Sequence, residues 1–217
     1  MNHAVQFDDV EQQRSATLLG IWIFLATEVL FFGGMLVAYI VYRYEYPEAF
    51  SLASEHLNVW LGGAMTAVLL LGSLLVAIAD HLIQQDDDPS HVRRAVFQRL
   101  MFTALLGLAF LSCEFYEYYE VVTENLFPGA NFDVAAFASA SIAGRLAQMF
   151  FVLYFCMTGL HALHMIVGVS LVTWMAVVVR WSGPPCGWAN TLNVVGLYWH
   201  FVDIVWIFLY PLFYLVA

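Results

Sequence analysis

Between Leu18 and Tyr42 the chain carries a single charged side chain, Glu28. A helix needs about 20 mostly apolar residues to cross a ~30 Å hydrocarbon core, and this stretch meets that length. Four more stretches do so: Leu57 to Ala79, Phe97 to Val122, Ile142 to Val179, and Leu192 to Val216. In lipid every peptide group must find its partner within the protein, and an apolar run of this length does so as a helix. The expected fold is therefore all-α, a polytopic membrane bundle with spans at about 18–42, 57–79, 97–122, 142–179 and 192–216. These are read as one membrane domain over 1–217.

Composition agrees. The 217 residues are 62% hydrophobic and 11% charged, whereas soluble domains average about 25% charged residues. A net charge of −10, from seven arginines, no lysine and 17 acidic residues, offers no basic surface for nucleic acid. Cys113, Cys156 and Cys186 are scattered and read as small packing residues rather than metal ligands. The opening MNHAVQFDDVEQQR is acidic, without a basic n-region, so insertion is expected to be directed by the first span. The lack of an Arg-rich, acid-poor leader points to a prokaryotic cytoplasmic membrane.

The spans are separated by Pro47, by Asp86-Asp87-Asp88-Pro89, by Phe127-Pro128-Gly129 and by Gly183-Pro184-Pro185, all turn signals. The fourth stretch is longer than a bilayer requires, yet its middle holds isolated glycines and no polar cluster. It reads as one long helix projecting past the lipid. Arg14, Arg93, Arg94, Arg99 and Arg180 fall on the side of the N-terminus, and Arg43 and Arg145 on the other. Glu45, Glu48, Glu55, Glu124 and Asp133 make that other side acidic. The arginine bias predicts the N-terminus inside and, with five spans, the C-terminus outside.

Charged groups within spans are costly and each needs a reason. Glu28 is either a proton-relay or lipid-headgroup site or, preferably, a carboxyl bonded to a neighbouring helix. Glu114, Glu117 and Glu120 recur every third residue in SCEFYEYYE and share one helix face. Tyr116, Tyr118 and Tyr119 are interleaved with them, as in an interfacial aromatic belt, so a solvated or subunit-facing surface is favoured over a metal site. His161 and His164 in TGLHALHM lie one turn apart, too close to serve two haem planes. No Glu-x-x-His or His-Glu-x-x-His occurs, and buried, hydrogen-bonded histidines are the preferred reading. His200 and Asp203 in YWHFVDIVW are also one turn apart. A structural network, in which they satisfy each other or a neighbouring helix, is preferred over general-base chemistry. Gly33-Gly34, Gly62-Gly63 and Gly168 permit close helix approach.

These motifs carry a family resemblance. MTGLHALHMIVG followed by YWHFVDIVWIFLYPLFYL closely resembles the last two helices of subunit III of haem–copper oxidases. LGIWIFLATEVLFFGG is similar to the helix with that family's intramembrane glutamate, which falls on Glu28, and EFYEYYE matches its Glu-Tyr-rich helix end at Glu117, Tyr118 and Tyr119. The resemblance runs from about 18 to 216 in the family's order. Longer members have seven helices, the first two bounding a lipid-filled cleft, and this chain matches the other five. It also has Asn193 where an acidic residue is expected.

The resemblance implies a subunit that binds no haem or copper itself. It would dock on the catalytic oxygen-reducing, proton-pumping subunit I, with subunit II and others, and would hold phospholipid. Glu28, Glu117, His161, His164, His200 and Asp203 would then be structural or lipid-associated. Within the family the YWHFVD wording leans away from a quinol oxidase, while the five-helix form and the YPEAFSLASEHLN loop suit a cytochrome c oxidase or a nitric oxide reductase accessory; the cytochrome c oxidase is favoured. Two other classes remain open from the residues: a cytochrome b-like protein using His161, His200 and His81, and a transporter coupled through Glu28. No inverted repeat supports the transporter.

Overall fold

The computed structural model describes residues 10–85, 89–137, 141–181 and 188–216. Cys186, the acidic run at 86–88 and the Gly-Pro-Pro turn lie outside them. Among the described residues there are six α-helices: α1 (Val10–Glu45), α2 (Pro47–Ser54), α3 (Val59–Gln85), α4 (Pro89–Thr123), α5 (Ser141–Trp181) and α6 (Ala189–Tyr214). A 3-10 turn, Val134–Phe137, precedes α5. Five of the helices are long and apolar enough to cross a membrane.

The fourth apolar stretch is one helix, as its lack of a polar break predicts. Its 41 residues extend ~60 Å at ~1.5 Å per residue. Pro47 does more than end α1. Its ring pre-sets φ at the first turn of a helix, where no N–H bond is lost. It opens α2, which buries Ala49, Phe50 and Ala53 and packs on α5. Asn58 then caps α3, its side-chain oxygen accepting from the N–H groups of Trp60 and Leu61 at 3.1 Å each. That satisfies two of the four donors a helix start leaves orphaned.

The end of α4 is closed just as locally. Asn125 adopts φ 57°, a left-handed conformation that asparagine tolerates better than most side chains. This lets Leu126 N–H reach Val121 O at 3.0 Å and Asn125 N–H reach Val122 O at 3.1 Å, the paired bonds of a Schellman ending.

Helices α3, α4, α5 and α6 form the packed body, through α3–α4, α4–α5, α3–α6 and α5–α6 faces. Its centre is aromatic: Trp199, Trp206, Tyr154, Phe110, Phe150 and Phe213 are all fully buried. Close approach there depends on a glycine the sequence did not single out. A Cβ on Gly107 would lie 2.6 Å from Val169 Cγ2 and 2.9 Å from the Trp199 ring. Gly62 has the rings of Tyr210 and Tyr214 against it. The expectation fails at Gly33 and Gly34, where a Cβ would meet nothing within 4 Å, because α1 lies against α5 and α6 with most of its circumference exposed.

Candidate functional site

Three polar groups inside the bundle carry the residues marked by the sequence. The first joins α4, α5 and α6 near the acidic end. Glu117 turns inward, and its Oε2 accepts from Tyr154 Oη at 3.0 Å and from Tyr214 Oη. Tyr118 and Thr158 hydroxyls bond to each other at 2.7 Å, and Glu114 lies beside them, fully buried. The solvated or subunit-facing reading of this glutamate stripe is thus overturned for Glu114 and Glu117. For Glu117 the tyrosines on α5 and α6 supply the donors that make inward burial tolerable, whereas neither oxygen of Glu114 has a hydrogen-bond partner among the described residues. Glu120, half-buried, keeps the local role, accepting from Tyr116 Oη at 2.7 Å.

The second group joins α1 to α5. Glu28 Oε2 is 3.3 Å from His164 Nε2, and His164 Nδ1 is 2.9 Å from Leu160 O. His164 also packs edge-on to Phe32 at 5.5 Å, and its carbonyl accepts from Tyr198 Oη on α6 at 3.1 Å. Glu28 is therefore bound to a neighbouring helix. The sequence marked Glu28 and His164 separately and did not pair them. No residue spacing within one helix reports a contact between two.

The paired histidines part company. His161 is fully buried between Phe110 and Trp206, with ring centroids at 5.5 and 5.1 Å, and neither ring nitrogen has a hydrogen-bond partner among the described residues. The expectation of two hydrogen-bonded histidines holds for His164 and fails for His161, which aromatic faces hold in place. One turn of helix rotates i and i+3 by about 60°, enough to send them to different neighbours.

The third group lies between α3 and α6. His200 Nδ1 is 2.6 Å from Ser73 Oγ. His200 does not pair with Asp203; each looks to α3 instead. Asp203 is buried beside Ser73 and Trp199, with no hydrogen-bond partner for either oxygen among the described residues. A hollow of about 260 Å³ adjoins this group, lined by Asp80, His81, Asn193 and His200 among others. One turn further along α6, the Trp206 indole N–H donates to Thr66 Oγ1 at 3.1 Å. Tyr154, Tyr214, Ser73 and Thr66 were missed in the sequence. A hydroxyl within an apolar span was the signal available, since it requires an acceptor.

Among the described residues no three His, Cys, Asp or Glu side chains converge as a metal ion would require. Cys113 and Cys156 are free thiols, Cys156 on the exposed surface.

The order and placement of these groups along the whole chain bear on a comparison with known proteins. The family model described as cytochrome c oxidase subunit III matches residues 9–217. The chain belongs to this family. A subunit III relative, the cytochrome c oxidase subunit 3 of Alkalihalophilus pseudofirmus, is 30% identical over 199 residues, 92% of this chain and 86% of the relative. The cytochrome c oxidase subunit 3 of Thermostichus vulcanus is 27% identical over 219 residues, covering 99% and 94%. The quinol oxidase subunit 3 of Bacillus subtilis is 28% identical over 200 residues, covering 92% and 87%. This chain is thus a multi-pass membrane protein of the haem–copper oxidase subunit III type, and its relatives serve oxidases of both names. Membership in such a subunit family implies association with other oxidase subunits.

Proposed function

We propose that the chain is subunit III of a cytochrome c oxidase in a prokaryotic cytoplasmic membrane. In this reading it binds no haem or copper and supports subunit I, alongside subunit II, by protecting the active centre during turnover, sustaining proton uptake and holding phospholipid. One observation carries the non-catalytic part. Several of the polar side chains inside the spans meet partners on other helices, namely Glu28 with His164, His200 with Ser73, and Glu117 with Tyr154 and Tyr214. Groups spent on tying helices together are poorly placed to meet a substrate.

The cytochrome c assignment draws support from the YWHFVD wording and from relatives of that name. The quinol-type relative favours a second reading, a quinol oxidase. The complex purified through a tag on this chain decides between them. A reduced-minus-oxidised spectrum with haem a bands, and oxidation of reduced cytochrome c but not of quinol, is the expected result. Turnover of quinol alone selects the second reading. Haem b and c without haem a would move the chain to a nitric oxide reductase. Haem bound stoichiometrically by the isolated chain would overturn the non-catalytic reading.

The same proposal places the N-terminus inside and the C-terminus outside, on the strength of the arginine bias. An alkaline phosphatase fused after residue 217 is expected to be active. An inactive fusion, paired with a fluorescent cytoplasmic one, would reverse the topology.

A further inference from the structure

The N-terminal turns of α4 and the last turn of α5 lie side by side at the basic end of the bundle. Between them is an open hollow of about 600 Å³, lined by Ser90, His91, Arg93, Arg94, Phe97 and Gln98 from α4 and by Arg180 from α5. Three of the chain's seven arginines thus border one space, from two helices. Their placement is electrostatically unusual. A helix N-terminus carries about half a positive charge and favours acids, yet α4 has no acidic residue in its first turn and presents Arg93 and Arg94 in its first two. Like charge has been gathered where it repels, and an anion in the hollow would relieve it.

The surroundings say which kind. Arg180 stacks over the Trp181 ring at 5.6 Å, and Trp181 is 80% exposed, as an indole at the headgroup level is. From Gln98 the helix row continues toward the membrane as Phe102 and Leu105, and from Arg180 as Val177 and Trp174. All four are exposed. A polar, cationic hollow thereby opens onto an apolar track.

We propose that this hollow binds the phosphate of an anionic phospholipid, with Arg93, Arg94 and Arg180 holding the headgroup and the α4–α5 track receiving an acyl chain. Basic pockets between helices on the cytoplasmic side recognise such headgroups. The site lies away from Glu28; it rests on the reading that this subunit holds phospholipid and gives that role a place and a headgroup charge. The run Asp86-Asp87-Asp88 just before α4 is the competing source of negative charge.

The test uses the complex purified through this chain and placed in phosphatidylcholine nanodiscs, to which phosphatidylglycerol or inorganic phosphate is returned. Native mass spectrometry counts retained phosphatidylglycerol, and thermal unfolding reads protection. One arginine near an anionic lipid is worth ~1 kcal/mol, about fivefold in affinity. The triple variant Arg93→Gln, Arg94→Gln, Arg180→Gln is therefore expected to bind phosphatidylglycerol about a hundredfold more weakly. Arg14→Gln, on the same side but outside the hollow, should bind as the wild type does. If the triple variant does not assemble, by its visible spectrum, Arg94→Gln alone is read for the fivefold effect. Protection by phosphatidylglycerol and not by phosphate establishes the lipid. Equal protection by phosphate keeps the site but makes its ligand the free ion. Arginine variants that behave like Arg14→Gln would overturn the proposal and leave the arginines to the acidic run.

Discussion

Helices α1 and α6 are both long enough to span a membrane, and α1 is the more apolar of the two. Yet 56% of the apolar stretch of α6 is buried inside the bundle, against 11% of that of α1. In water the order would be reversed, since the more apolar helix would hide. Lipid solvates apolar side chains as well as a protein interior does, so apolar character gives no drive inward. The drive comes from groups that lipid cannot satisfy. Helix α6 carries His200, Trp206 and Tyr214, which meet Ser73, Thr66 and Glu117 on α3 and α4. Helix α1 carries Glu28 as its only charged side chain within the apolar stretch, and through it holds His164. At the other end of α1, Tyr39 Oη donates to the Leu212 carbonyl. The wide exposed face of α1, including Trp22, Leu30 and Phe31, is left to lipid or to another subunit.

Substitutions at four positions can break or sharpen this contrast, read as unfolding free energy by SDS titration in bicelles. Glu117→Ala should have the largest effect. It strands two buried tyrosine hydroxyls, at ~1–3 kcal/mol each, and adds a cavity, for a loss of about 3–5 kcal/mol. Glu117→Gln should recover most of that, because an acceptor remains. Gly107→Ala comes next, at about 1–3 kcal/mol of overpacking, since Val169 and Trp199 must both shift.

Glu28→Gln weakens the α1–α5 contact with His164, which is partly exposed, and should cost no more than ~1 kcal/mol. Its mark should be selective, with faster proteolysis or exchange in α1 while α3–α6 are unchanged. A loss as large as that of Glu117→Ala would break the comparison. Leu30→Ala, on a residue 77% exposed, should be the smallest, within ~0.5 kcal/mol in the isolated chain. If the same variant weakens retention of the other subunits on co-purification, the α1 face is a subunit interface rather than a lipid one.

Much of the fold was legible because the bilayer imposes a length and forbids unpaired backbone. The all-α class, the five spans and the unbroken fourth helix follow from that alone. The boundaries were legible only in part. The spans at 18–42 and 97–122 continue as helix to Val10–Glu45 and Pro89–Thr123, because a helix does not stop where the lipid does. The short helix α2 was hidden by Pro47, a residue that serves equally as a breaker and as a first helical position.

The site divides the same way. Hydropathy picked out Glu28, Glu117, His161, His164, His200 and Asp203, since each is expensive in an apolar span wherever it points. That expense is a property of the residue and the solvent, so the sequence carries it. Which of them face inward, and what each meets, depended on helix rotation and on which helices are neighbours. Glu114 and Glu117 looked like a wetted edge until Tyr154, Thr158 and Tyr214 were brought against them. His161 and His164, three residues apart, went to an aromatic clamp and to the Glu28 carboxyl. The bilayer set the length and number of the helices; packing of side chains between helices distant in sequence decided what the polar groups do.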